Sequence, residues 1–88
     1  MVKKDIEERT LNFSIRIVNL CKLLRENGGT GYDLSQQLIR SGTIIGANVE
    51  EAQNAESKPD FIHKMSISLK EARETNYWLK ILIATEKN

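Results

Sequence analysis

Glu51 and Glu71 are the residues of this chain whose type most invites a chemical reading. Two carboxylates on facing helices are what acid–base catalysis uses, one protonated and one ionised. Arg40 offers a guanidinium that could grip either of them through paired hydrogen bonds. The same residue types also make buried polar networks that set helix register, and Asn48 and Asn76 sit in the same pattern. We read Arg40, Asn48, Glu51, Glu71 and Asn76 as such a structural polar network. No catalytic residue is assigned, because neither a nucleophile nor a histidine accompanies the carboxylates. His63, the only histidine, has Asp60 nearby, but zinc needs three or four ligands and no further histidine or suitably spaced cysteine follows. Ser14, Ser41, Ser66 and Ser68 lack the elbow or triad setting of a serine nucleophile. Gly28-Gly29-Thr30-Gly31 lacks the preceding strand and the lysine of a phosphate loop. No metal and no cofactor is expected.

The elements that must position these groups are helices. From about Lys4 to Asn27, the residues Ile6, Thr10, Phe13, Ile17, Leu20 and Leu24 recur at steps of four and three, a sustained heptad seam. Leu11, Ile15 and Val18 add a second stripe and widen the apolar face. Asn27-Gly28-Gly29 stops the helix, since glycine adopts the left-handed cap conformation at little cost. A second helix is predicted from about Tyr32 to Glu56, capped by Thr30 or Asp33, with Leu34, Leu38, Ser41, Ile45, Asn48, Ala52 and Ala55 as its seam. Gly42 and Gly46 within it would permit close backbone approach. A third helix begins sharply at Ser57-Lys58-Pro59-Asp60, with a hydroxyl cap, a first-turn proline and a carboxylate at the positive end of the dipole. Its seam reads Ile62, Met65, Leu69, Ala72, Asn76, Leu79 and Ile83 to about Thr85. Strand signals are poor. The short breaks favour antiparallel neighbours, so the expected fold is an all-α, up-down antiparallel bundle, with three long helices in one domain over residues 1–88.

Composition excludes several function classes. Thirteen Lys and Arg against twelve Asp and Glu give a net charge of +1, without the basic excess of a dedicated nucleic-acid binder. Local asymmetry can hide in such a total. Arg9, Arg16, Lys22 and Arg25 form a partial stripe on the first helix and are the candidate nucleic-acid contacts. Lys64, Lys70, Arg73, Lys80 and Lys87, spaced along the third helix, are interrupted by Asp60, Glu71 and Glu74, and read as a solvated, salt-bridged face. Cys21, the only cysteine, falls in the apolar pattern and reads as a small buried hydrophobe. No stretch has the ~20 apolar residues of a membrane span. No secretory signal opens the chain, so a cytoplasmic location is expected. The apolar band is wider than three helices can cover, which points to self-assembly; Trp78, Ile81 and Leu82 are the candidate interface.

The run Arg40-Ser41-x-x-x-Ile45-x-Ala47-Asn48-x-x-Glu51 resembles the signature of the four-helix-bundle proteins encoded in intervening sequences of large-subunit rRNA, also called the S23 ribosomal protein family. The stretch from Ala55 to Leu79 resembles that family's third helix, and Tyr32, Leu34, Gln37 and Leu38 its approach to the second. The family is also similar to the accessory variability determinant of diversity-generating retroelements. The resemblance implies an up-down four-helix bundle that assembles as a homopentamer, with a basic surface able to contact RNA, DNA or a reverse transcriptase. It implies no catalysis. Two departures stand out. Ile44 replaces a usual serine. The fourth helix has no counterpart before Asn88, so the chain reads as a truncated member or one whose last helix comes from elsewhere, which weakens the inference to a pentamer. The resulting expectation is a non-enzymatic, self-assembling scaffold that docks nucleic acid or a nucleic-acid enzyme. The alternative is a protein-interaction module whose open groove accepts a partner helix.

Overall fold

The computed structural model describes residues 2–86, with side chains from Asp5 onward. It contains three helices and, among the described residues, no strand: α1 (Val2–Asn27), α2 (Gly29–Gln53) and α3 (Lys58–Thr85). α1 and α2 are separated by Gly28 alone. Both Gly28 and Gly29 have positive φ, 70° and 67°, the region that only glycine enters without a Cβ penalty. The backbone therefore reverses within two residues. α2 starts three residues earlier than its sequence suggests, and neither Thr30 nor Asp33 caps it. Its N-cap is Gly28, with no side-chain hydrogen bond. It also ends earlier, at Gln53, where the Asn54 N–H folds back to the Ala52 and Glu51 carbonyls. The start of α3 follows its local chemistry: Ser57 Oγ accepts from the Asp60 N–H at 3.2 Å, and Pro59 occupies the first turn.

α2 is the central helix. It packs along α1 on one side and α3 on the other, antiparallel to both, while no backbone of α1 comes within 8 Å (Cα–Cα) of α3. The α1–α2 contact is close because Gly42 and Gly46 face α1. A Cβ on Gly42 would stand 2.9 Å from Ile17 Cγ2, and one on Gly46 would stand 3.2 Å from the Thr10 carbonyl oxygen. The gain in packing must exceed the ~1 kcal/mol that each glycine costs in helix propensity. One apolar cluster lies toward the α1–α2 turn. It joins Ile17, Cys21 and Leu24 of α1 to Leu38 of α2 and Leu82 of α3. Cys21 is 1% exposed and its Sγ donates to the Ser35 carbonyl at 3.4 Å, as a small core residue would.

The α2–α3 contact is built differently. The face that α3 turns to α2 is Ser68, Glu71, Thr75 and Leu82, not the apolar seam read from the sequence. Ser68 Oγ donates to the Ile45 carbonyl at 2.8 Å. Thr75 Oγ1 lies 2.8 Å from both Ser41 Oγ and its own Glu71 carbonyl, with a single proton to give, while Ser41 Oγ donates to the Gln37 carbonyl at 2.9 Å. Short hydroxyl side chains thus fill the interface and satisfy one another, as buried polar groups must.

Candidate functional site

The expected polar network exists only in part. Arg40 reaches across from α2 to α3 and is held between two carboxylates, Glu71 at 3.5 Å and Glu74 in a short contact. Trp78 Nε1 donates to the same Glu74 oxygen at 3.1 Å. Glu71 is buried, and its Oε1 has no hydrogen-bond donor; the Arg40 cation beside it supplies the compensating charge. Glu74, expected on a solvated face, belongs to this clamp instead. Glu51 does not belong. It is exposed and lies eleven residues along the same helix from Arg40, about 16 Å at the helical rise. For the same reason Glu51 and Glu71 stand on different levels of the bundle and form no carboxylate pair. Asn48 is half-buried and donates to the Ile44 carbonyl of its own helix at 3.1 Å. Asn76 is exposed on α3 and does not meet it. The arrangement clamps α2 to α3 through Arg40.

The α1 cations do not form one stripe. At 100° per residue, Arg9 and Arg16 fall on the flank of α1 that carries Phe13 and Leu20, and Lys22 and Arg25 on the opposite flank. Arg25 Nε donates to Ser35 Oγ at 3.0 Å, and its guanidinium lies over the Tyr32 ring, 5.8 Å from the centroid. Arg9 pairs with exposed Asp5 at 3.8 Å. Of the interface candidates, Leu82 is a core residue, 6% exposed, packed with Ile17, Cys21, Leu24 and Leu38, and presents little surface to a second chain. Trp78 is half-buried, tied to Glu74 and edge-on to Tyr77 at 5.5 Å. Ile81 is half-buried beside it.

What stands open is the space between α1 and α3. Because the two helices do not approach, a groove runs between them over the buried α2 residues Ile45 and Ala52. Three cavities follow one another along it. The first, about 580 Å³, is lined by Ile6, Ala52, Phe61 and Met65 among others. The second, about 570 Å³, is lined by Ile6, Arg9, Phe13, Ile45 and Ala72 together with Asp5 and Thr10. The third, about 380 Å³, has Phe13, Arg16, Ile17, Leu20 and Leu79. The α3 seam read from the sequence, Ile62-Met65-Leu69-Ala72-Asn76-Leu79-Ile83, is the α3 wall and rim of this groove. Its outer row, Ile62, Leu69, Asn76 and Ile83, repeats every seven residues and is exposed, with Ile62 at 55%, Leu69 at 53% and Ile83 at 66%. A heptad apolar row left in water is unusual for a finished helix. The sequence pattern was real, but it faces the groove instead of α2.

Two charged or reactive groups have shifted protonation. Burial pushes the Cys21 thiol up, against the opposing effect of Arg25. The Lys64 ammonium, hydrogen-bonded at 3.1 Å, holds the Asp60 carboxyl below its usual range. Among the described residues, no group of three or more His, Cys, Asp or Glu is placed to hold a metal ion, and no helix is long and apolar enough to cross a membrane.

Comparison with known proteins places this geometry. The family model described as 23S rRNA-intervening sequence protein matches residues 3–87. No curated protein matches the chain. Among solved structures, the chain is similar to a crystal structure of a protein with unknown function from the S23 ribosomal protein family of Bacteroides thetaiotaomicron. The two are 47% identical with a TM-score of 0.89, over all of this chain and 78% of that one.

Proposed function

The chain belongs to the 23S rRNA-intervening sequence protein family, and from that premise we propose that it is a non-enzymatic helical scaffold whose α1–α3 groove receives one further helix, completing a four-helix bundle. The observation that supports this most directly is the exposed heptad row of α3 beside an apolar groove floored by Ile45 and Ala52. An amphipathic helix laid into such a groove reads it through anchors at i, i+3, i+4 and i+7. Arg40 engages both Glu71 and Glu74, which gives these carboxylates a structural role in the α2–α3 contact.

The test is calorimetric titration of the chain with a helix-forming amphipathic peptide. Saturable one-to-one binding with a negative heat-capacity change and a gain in helicity supports the proposal, and Ala72→Lys in the groove should abolish it. Failure of every amphipathic peptide to bind would refute it.

Two further parts of the reading rest on other surfaces. Leu11 and Ile15, 50% and 49% exposed, lie on the α1 flank away from the groove, which supports self-association of copies there; light scattering against concentration tests it. A surface for RNA, DNA or a reverse transcriptase on α1 has less support, because the four cations divide between two flanks and Arg25 is engaged by Ser35 and Tyr32. If nucleic acid does bind, its affinity should fall steeply with salt as counterions are released.

A further inference from the structure

We propose that Asn27 is a site of spontaneous modification, losing its side-chain amide through a cyclic imide formed with the Gly28 nitrogen. Asn27 is the asparagine of this chain that glycine follows. Asn12, Asn19, Asn54 and Asn76 are exposed as well, but Phe13, Leu20, Ala55 and Tyr77 come after them, and the Cβ of each shields the backbone nitrogen that would attack. At Asn27 the Gly28 nitrogen, once base has taken its proton, can attack the side-chain carbonyl carbon. A carbon–nitrogen bond forms, ammonia leaves, and a five-membered imide joins the two residues. Water then opens the ring at one of its two carbonyls. Opening at the side-chain carbonyl gives aspartate. Opening at the main-chain carbonyl gives isoaspartate, with the chain rerouted through the β-carbon. Water and base are the only co-reactants.

The fold leaves this reaction open. Ring closure requires the Asn27 ψ to leave its helical value. Asn27 is exposed and is the last residue of α1, with Gly28 alone between it and α2. The rotation must be compensated at once, or α2 would swing away from α1. Gly28 and Gly29, at φ of 70° and 67°, can absorb it, because glycine enters backbone conformations closed to other residues. A Cβ built on either would meet nothing within 4 Å, so the junction stands clear of packed side chains and water reaches it. Helix ends also open locally at little free-energy cost. The product then bears on the tightest turn of the molecule. Its new charge takes the formal net charge from +1 to 0. That charge stands at the carbonyl end of α1, where the dipole opposes it, and at the amide end of α2, where the dipole favours it. The α2 end has no side-chain cap and no acidic residue in its first turn. The two effects offset each other, so aspartate alone changes stability little. Isoaspartate adds a carbon to the main chain between two helices whose separation is fixed by Gly42 against Ile17, and so disturbs their register.

The experiment ages the full folded chain in heavy-oxygen water at mildly alkaline pH, beside the same chain in denaturant, and maps the products by peptide mass spectrometry. Asn27 should take up heavy oxygen at least ~10-fold faster than Asn12, Asn19, Asn54 or Asn76, because only its neighbour lacks a Cβ. Its rate in the folded chain should lie within about tenfold of that in the unfolded chain, as expected of a helix end that opens readily. Isoaspartate should be among the products, and the rate should rise with pH. Asn27→Gln keeps the amide but would need a six-membered ring, and should abolish the reaction at this position. The aged isoaspartyl fraction should melt below fresh protein, while Asn27→Asp, which carries the charge without the extra carbon, should melt with it. An Asn27 that stays intact in the folded chain and reacts in denaturant would overturn the proposal. Modification spread evenly over the exposed asparagines would overturn it too.

Discussion

Replacing Gly42 by alanine tests the account of how α1 and α2 come together. Helix propensity alone predicts that Gly42→Ala stabilises the protein by about 1 kcal/mol. The structure predicts the opposite. The added methyl would stand 2.9 Å from Ile17 Cγ2, 3.1 Å from Cγ1 and 3.3 Å from Cβ. These are the branched root of a side chain that is 3% exposed, so no rotation of a distal atom relieves them. Overpacking of this kind costs roughly 1–3 kcal/mol; against the propensity gain, the net is a destabilisation of about 1 kcal/mol. For a domain of this size that lowers Tm by roughly 4–8 °C, measured by circular dichroism at one fixed protein concentration. The internal control is Ile17→Ala, which removes the opposing atoms at a cost of about 2–5 kcal/mol. In that background Gly42→Ala should become neutral or stabilising, a non-additivity of about 1–2 kcal/mol in a double-mutant cycle. A rise in Tm for Gly42→Ala alone, or strict additivity with Ile17→Ala, would refute the close-approach reasoning.

Other perturbations bear on the remaining contacts. Ser57→Ala removes the acceptor for the Asp60 N–H and should cost about 1 kcal/mol in chemical denaturation. Arg40→Ala leaves the buried Glu71 carboxylate without its cation; with Arg40 half exposed, the expected loss is about 1–2 kcal/mol, and Glu71→Leu in the same chain should recover part of it. The Cys21 thiol should resist alkylation in the folded protein and react once the chain is unfolded in denaturant. Its raised pKa means that the folded state holds the proton more tightly than the unfolded one. The stabilisation is full below the ordinary thiol value of 9.0 and is lost as pH rises through the higher folded value. Cys21→Ala should flatten that alkaline decline in a pH series of melts.

Much of this protein is decided by local chemistry. The break at Gly28-Gly29, the Ser57 cap with Pro59 behind it, and the apolar repeats of three helices follow from conformations that each residue and its nearest neighbours prefer. Those repeats told that the chain is all helix, that Cys21 is core and that Gly42 and Gly46 allow close approach. The rotation of each helix was not decidable in the same way. α3 carries two stripes: the apolar heptad row Ile62-Leu69-Asn76-Ile83, and the set Ser68-Glu71-Thr75-Leu82. Hydrophobicity alone selects the first for the bundle interior. The fold buries the second, because Ser41, the Ile45 carbonyl and Arg40 on α2 supply partners for hydroxyls and carboxylate that would otherwise be buried unpaired. The choice of Glu71 and Glu74 over Glu51 as partners of Arg40, and the division of the α1 cations between two flanks, have the same origin. Each depends on which residues of a second helix lie at the same level. That is a property of two segments brought together, and the periodicity of one segment does not contain it.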